Sequence, residues 1–138
     1  MNELTIETKN QFELLDITKN IQSLNVSDGL LLLSCPHTSC ALFLGEFDDA
    51  LKNDFEKWAH DTSGKENKKF KHIHIWDPSR TTSHSTQHFM AAMLGNQIVI
   101  EFENGKIQLG KFQRVIIMEF SGPRKRTILL KRLMEQKI

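Results

Sequence analysis

Short apolar runs separated by turn-forming residues dominate the sequence, and they predict a protein built mainly from strands. The first two runs are expected to pair with each other around a turn at Lys9-Asn10. Asn104-Gly105 predicts a tight hairpin, because a type I′ turn needs positive φ at both central residues. The predicted strands cover Leu4–Thr8, Phe12–Leu15, Leu30–Ser34, Ala41–Leu44, Phe70–Trp76, Ile98–Phe102, Lys106–Leu109, Phe112–Phe120 and Arg126–Arg132.

Helical spacing of apolar residues occurs in three stretches. Ile17, Ile21 and Leu24 predict a short helix after Asp16, whose carboxylate would cap it. A second helix is expected to begin at Glu46, with an apolar stripe that ends at Trp58. The polar, lysine-rich segment 60–69 that follows predicts a solvated loop. A third helix is predicted from about Ser85 to Leu94, with Gly95 as its stop signal.

The order of these elements favours an α+β fold with a mostly antiparallel sheet, since many strands with few long crossovers do not suit a doubly wound parallel sheet. The 138 residues fit one domain spanning residues 1–138. The 18 basic and 17 acidic residues argue against a general nucleic-acid binder. No apolar run reaches the length of a membrane span, and the N-terminus has no signal pattern. We therefore expect a cytoplasmic protein with neither a nucleic-acid nor a membrane partner, and with Cys35 and Cys40 reduced and buried.

Histidines provide the first candidates for chemistry. His37 lies in a polar turn, His37-Thr38-Ser39, between two apolar runs, and the turn is either a well-bonded connection or a reactive site on a rigid scaffold. His72 and His74 share one face of a predicted strand, and His84 and His88 are one helical turn apart. His72 and His74 could share a ligand or could be amphipathic fillers on a half-wet sheet. His37, His72 and His88 come from separate elements and would make a catalytic zinc-type set with a bound water.

Arg124-Lys125-Arg126, beside Gly122-Pro123, is the best candidate for an anion site. A guanidinium group can bind two phosphate oxygens at once, although a basic strand start in solvent explains the run equally well. The sequence has no glycine-rich phosphate loop, nucleophile elbow or Cys-x-x-Cys pair, which excludes several enzyme classes.

Taken together, these motifs resemble the YjbQ family of small bacterial and archaeal proteins. The resemblance runs from about Thr8 to Lys131 and is specific in its order rather than in any one motif. It is carried by Asp16-Ile17-Thr18, Pro36-His37-Thr38-Ser39 with Glu46, Phe70-Lys71-His72, His88 leading to Leu94-Gly95, Asn104-Gly105-Lys106, Leu109-Gly110-Lys111-Phe112-Gln113, Glu119 and Gly122-Pro123-Arg124-x-Arg126.

The resemblance implies a subunit whose sheet curls into a half-barrel and assembles as a homotrimer. It also implies a weak thiamine-phosphate synthase activity, which joins a pyrimidine pyrophosphate to a thiazole phosphate and releases pyrophosphate. On that basis His37 or His88 would transfer protons, Glu46 or Glu119 would orient a histidine or hold a metal, and Arg124, Arg126 or Mg²⁺ would stabilise the leaving pyrophosphate. The shared polar positions are His37, Thr38, Glu46, His72, His88, Gln113, Glu119, Arg124 and Arg126.

Three departures from the family pattern leave other functions open. Phe112 replaces the family's tryptophan, the residues before His88 differ, and segment 61–83 with His74 and His84 fits the pattern poorly. A metal- or small-ligand-binding protein without turnover is one alternative, with Zn²⁺ or another transition metal held by His37, His72 and His88. The other is a set of polar groups that are satisfied across a trimer interface.

Overall fold

A computed structural model describes residues 3–74, 76–77 and 82–134 of the chain. Its elements occur in the order β1 (Glu3–Glu7), β2 (Glu13–Asp16), α1 (Thr18–Gln22), β3 (Gly29–Ser34), β4 (Cys40–Gly45), α2 (Asp49–Glu66), a 3₁₀ turn (Asn67–Lys69), α3 (Ser85–Leu94), β5 (Gln97–Glu103), β6 (Lys106–Gln108), β7 (Arg114–Glu119) and β8 (Lys125–Leu133). The fold is α+β, with a single domain, a curled antiparallel half-barrel and three α-helices in the described part of the chain.

Every strand pair found among the described residues is antiparallel. One sheet has five strands in the order β1-β8-β3-β5-β6, and the other has three in the order β2-β7-β4. The predicted hairpin between β5 and β6 is confirmed, because both Asn104 and Gly105 have positive φ. The prediction that the first two strands pair with each other is wrong: β1 pairs with β8 and β2 pairs with β7, so the turn between them joins two sheets.

Strand β7 separates the two parts of the core. Its residues Val115 and Ile117 pack with side chains of both sheets, whereas Ile116 and Met118 pack with Ala59 of α2 and with residues of α3. Because both faces of β7 are covered, the strand is apolar at successive positions and does not alternate. Helix α3 packs against the three-stranded sheet, and His88 in its first turn bonds the carbonyl oxygen of Thr38, just before the start of β4.

Helix α2 is longer than the sequence predicts. It begins after Asp48, whose side chain accepts a hydrogen bond from the amide of Leu51, and it continues to Glu66. The predicted loop at 60–69 is therefore wrong, and Gly64 is a helical residue with open space around its Cα. The segment 70–74 is also not a strand, because its backbone joins neither sheet. Among the described residues no helix is long and apolar enough to cross a membrane.

Candidate metal centre

Four histidines from two separate segments meet at the start of α3. His72 and His74 lie on the non-helical segment before Asp77, while His84 precedes α3 and His88 lies in its first turn. All six pairs of rings have centroids between 4.3 and 5.8 Å apart. One nitrogen from each ring lies within 4.8 Å of the others, which is close enough for the four rings to hold one metal ion.

Main-chain and side-chain hydrogen bonds fix these two segments relative to each other. The amide of His84 donates to the carbonyl oxygen of His72 at 3.2 Å, so the two histidine-bearing segments are joined directly. Asn67 accepts from the amide of Thr86 and donates to the side chain of Gln87, at 2.9 and 2.8 Å. The 3₁₀ turn at the end of α2 thus holds the first turn of α3, which carries His88.

The tautomer of His88 follows from its hydrogen bonding. Its Nδ1 lies 2.8 Å from the carbonyl oxygen of Thr38, which can only accept, so Nδ1 carries the proton. The lone pair is then on Nε2, which is buried and has no hydrogen-bond partner among the described residues. A ring whose Nδ1–H is fixed by a carbonyl group and whose Nε2 is left bare is the usual form of a metal-binding histidine.

The donor set fits a transition metal better than Mg²⁺. Imidazole nitrogens suit zinc, copper, nickel and iron, whereas Mg²⁺ prefers carboxylate and water oxygens. In a tetrahedral zinc site with Zn–N distances of about 2.1 Å, neighbouring nitrogens are roughly 3.3 Å apart. The Nε2 atoms of His74 and His84 are 3.1 Å apart, close to that spacing.

A cavity of about 500 Å³ adjoins this group of histidines. Its wall includes His37, Thr38, Cys40 and Asn96, together with Ala91, Ala92, His72, His74 and His88. His37 therefore shares the cavity with three of the four clustered histidines but is not itself one of the clustered rings. Its Nε2 accepts a hydrogen bond of 2.9 Å from the amide of Thr127. Burial, followed by the positive charge of Arg126, holds the pKa of His37 below its ordinary value.

Glu119 and Arg126 form a buried ion pair beneath this turn. Glu119 has no exposed surface and Arg126 is 4% exposed. The Nε of Arg126 donates to both carboxylate oxygens at 2.9 and 3.1 Å, and its second guanidinium nitrogen bonds Glu119 and the main chain and side chain of Ser39. Thr8 also donates to Glu119 at 2.7 Å. These two predicted site residues thus support the His37-Thr38-Ser39 turn from inside the protein.

The remaining predicted site residues lie in other places. Arg124 is half-buried and donates to the carbonyl oxygen of Ser121, while its charge contributes to lowering the pKa of His37. Glu46 and Gln113 are at the far end of the β4–β7 pair: Cys40 pairs with Glu119, whereas Gly45 pairs with Arg114. Five residues of strand separate the two ends by about 17 Å. The structure does not bring Glu46 or Gln113 to the four histidines.

His74 and His84 are the members of the group that the predicted set of His37, His72 and His88 omits. The signal for them is in the sequence, as a His-x-His pair and as a pair four residues apart at a helix start. His84 and His88, which the sequence places one helical turn apart, have ring centroids 4.9 Å apart and ring planes tilted by 55°. The spacing within each pair does not show that the two pairs meet. Their contact depends on how segment 70–74, which is not a strand, lies against the start of α3.

Comparison with known proteins gives a consistent result for sequence and fold. A family model described as "UPF0047 protein YjbQ-like" matches residues 2–135. A UPF0047 protein of Archaeoglobus fulgidus is 36% identical over 132 residues, which cover 95% of this chain and 99% of that protein. The UPF0047 protein YugU of Bacillus subtilis is 26% identical over 139 residues, covering 95% of this chain and 97% of that protein.

Two crystal structures have the same fold over nearly their whole length. A hypothetical protein of Aeropyrum pernix gives a TM-score of 0.79 at 27% identity, covering 96% of this chain and 97% of its own. An uncharacterized conserved protein of the YjbQ/UPF0047 family from Clostridium acetobutylicum gives 0.77 at 28% identity, covering 96% of this chain and all of its own. From its matched length, its identity to these relatives and its fold, this chain belongs to the YjbQ-like UPF0047 family.

Proposed function

We propose that the protein binds a divalent transition metal, with zinc as the first choice, at His72, His74, His84 and His88. The observation that carries this proposal is the convergence of four imidazole nitrogens within 4.8 Å of one another. The bare Nε2 of His88, opposite an Nδ1–H fixed by Thr38, supports it independently. If the four histidines only filled space, the unbonded Nε2 of His88 would be unexplained, because buried polar atoms normally have a hydrogen-bond partner.

The adjoining cavity is where such a centre would meet a small substrate. A bound divalent ion would polarise a phosphoryl oxygen as a Lewis acid. The chain's own residues do the positioning: the carbonyl oxygen of Thr38 orients the ring of His88, and Asn67 holds the first turn of α3. His37 lies in the wall of the cavity, on the turn that Arg126 and Glu119 support from below.

Cobalt titration tests the metal proposal directly, because four-coordinate Co²⁺ absorbs strongly in the visible range. We expect the metal-free protein to develop this absorption with one Co²⁺ bound per chain. His88→Ala should weaken cobalt binding by about tenfold or more, whereas His60→Ala, which removes an exposed histidine on α2, should not change it. Weak, non-saturating absorption in the unmodified protein, or an equal loss in both variants, would contradict the proposal.

A thiamine-phosphate synthase activity, as the family resemblance implies, is the second candidate. The cavity beside the histidines favours it, because this cavity contains His37 and Thr38 and because the charge of Arg124 reaches His37. Cationic groups would stabilise the leaving pyrophosphate as its charge develops. The test supplies purified protein with the pyrimidine pyrophosphate, the thiazole phosphate and either Mg²⁺ or Zn²⁺. Thiamine phosphate should form faster than with His37→Ala, and equal rates would remove this candidate.

Metal binding without turnover remains the alternative within the same proposal, with a homotrimer as the expected assembly. The homotrimer is expected from the family resemblance. The free, buried thiols of Cys35 and Cys40 support the expected cytoplasmic location. Sedimentation of the metal-loaded and metal-free protein would test the assembly.

A further inference from the structure

We propose that His37 holds an oxyanion of the phosphate class in the cavity beside the metal centre, by donating a hydrogen bond from its Nδ1–H. This inference rests on the proposed metal function of the four histidines and adds the class of ligand that the cavity accepts. It also gives His37 a positioning role that differs from metal ligation and from proton transfer.

The hydrogen bond to the main chain decides which ring nitrogen of His37 carries the proton. An amide N–H can only donate, so Nε2, which lies 2.9 Å from the amide of Thr127, must be the acceptor. A neutral imidazole ring whose Nε2 is unprotonated carries its proton on Nδ1. Nδ1 has no hydrogen-bond partner among the described residues, so it offers one donor to a molecule in the cavity.

The hydrogen bond from the amide of Thr127 opposes the other tautomer of His37, in which Nδ1 would be an acceptor. Moving the proton to Nε2 would place the N–H of the ring opposite the N–H of the amide, and the half-buried amide of Thr127 would lose its acceptor. Thr127 belongs to the ladder between β1 and β8, where it pairs with Thr5, so its amide direction is fixed by the sheet. His37 is thus held as a donor rather than as a base.

The charges around the cavity favour an anion as the partner of that donor. None of the described residues that line the cavity is a carboxylate. The nearest carboxylate below the turn, Glu119, already bonds Arg126, Thr8 and the amide of Ser121. Arg124 adds positive charge close enough to act on His37. An oxygen of a phosphate-class anion in this cavity would accept a hydrogen bond from His37. The same cavity is lined by three of the histidines that we propose as metal ligands.

Two substitutions of His37 separate the donor from the main-chain acceptor. The side-chain amide of asparagine reaches the position of Nδ1, so His37→Asn keeps a donor to the cavity and loses the acceptor for Thr127. The side chain of glutamine reaches the position of Nε2, so His37→Gln keeps the acceptor and loses the donor. Binding of inorganic phosphate to the zinc-loaded protein, freed of excess zinc, is measured by titration calorimetry.

We expect His37→Gln to bind phosphate about tenfold or more weakly than the unmodified protein, as loss of a hydrogen bond to a charged group implies. His37→Asn should remain within about threefold, although it is the less stable variant. Equal binding by the unmodified protein and His37→Gln would overturn the inference, and so would stronger loss in His37→Asn than in His37→Gln. Chloride in place of phosphate controls for ionic strength.

A second measurement covers the case in which His37→Asn does not fold. The long-range ¹H–¹⁵N spectrum of the unmodified zinc-loaded protein should show His37 as the neutral Nδ1–H tautomer, with the Nδ1 proton shifted by added phosphate. An Nε2–H tautomer would overturn the inference. Zinc stoichiometry is recorded in the same samples: absence of zinc binding refutes the metal proposal, whereas intact zinc binding with no phosphate response refutes only the role of His37.

Discussion

Two histidines of this protein have opposite ring nitrogens fixed by the main chain. At His88 a carbonyl oxygen holds the Nδ1 proton and leaves the Nε2 lone pair bare, as metal ligation requires. At His37 an amide takes the Nε2 lone pair and leaves the Nδ1 proton for a ligand. On our two proposals, the same side chain would serve as a metal ligand in one place and as a hydrogen-bond donor in the other. The backbone groups around each ring would make the difference.

The lowered pKa of His37 makes stability depend on pH. Burial and the charge of Arg126 hold its folded pKa below 6.5, so the unfolded chain binds more protons between that folded pKa and 6.5. The free energy of unfolding should therefore fall as the pH drops below about 6.5. Denaturant unfolding of the metal-free protein should show a larger loss from about pH 7.5 to about pH 5 than for His37→Gln. Parallel pH dependences for the two proteins would refute this assignment.

The buried pair of Glu119 and Arg126 should contribute to stability through the cost of breaking it. Glu119→Gln leaves the Arg126 guanidinium buried without its carboxylate partner, which generally costs ~3–5 kcal/mol. Asp61→Asn, which breaks the exposed pair with Lys57 on α2, is the matched control and should cost far less, because solvent screens this pair. Urea unfolding at neutral pH gives both values. Similar values for the two variants would show that the buried pair has no special role.

Among the elements, α2 shows where hydrophobic periodicity stops being informative. The apolar stripe ends near Trp58, and the polar residues beyond it predict a loop, yet the helix continues for two more turns to Glu66. Ala59 and Ser63 are buried on the inner face of these turns, and small residues of this kind carry little hydrophobic signal. Segment 70–74 is the converse case: its alternating pattern predicts a strand, but its backbone joins neither sheet in the part of the chain that the structure describes.

A pair of glycine substitutions tests this description of the elements. Gly64 lies inside α2 with nothing within 4 Å of an added Cβ, so Gly64→Ala should raise the free energy of unfolding by roughly 0.5–1 kcal/mol. At Gly122 an added Cβ would clash with the main-chain oxygen of Asn10, so Gly122→Ala should be destabilising by about 2 kcal/mol or more. Thermal or urea unfolding measures both. A loop at residue 64 would give no gain from alanine.

At the scale of the whole molecule, the sequence predicts the α+β class and the separate pairs of histidines, but not their meeting point. Local spacing places His72 near His74 and His84 near His88, because each pair lies within one short segment. Their convergence depends on the length of α2, the hydrogen bonds of Asn67 and the docking of α3 on the three-stranded sheet. Glu46 and Gln113 illustrate the opposite error, since motif order alone cannot show that they lie at the far end of the same strands.

The metal content of the untagged protein, after dialysis against metal-free buffer and one addition of zinc, tests the central claim most directly. Elemental analysis should find about one zinc per chain in the unmodified protein and in His60→Ala. The double variant His72→Ala/His88→Ala should retain less than about a tenth of that amount. An unmodified protein that loses its zinc on dialysis, or a double variant that keeps it, would contradict the account.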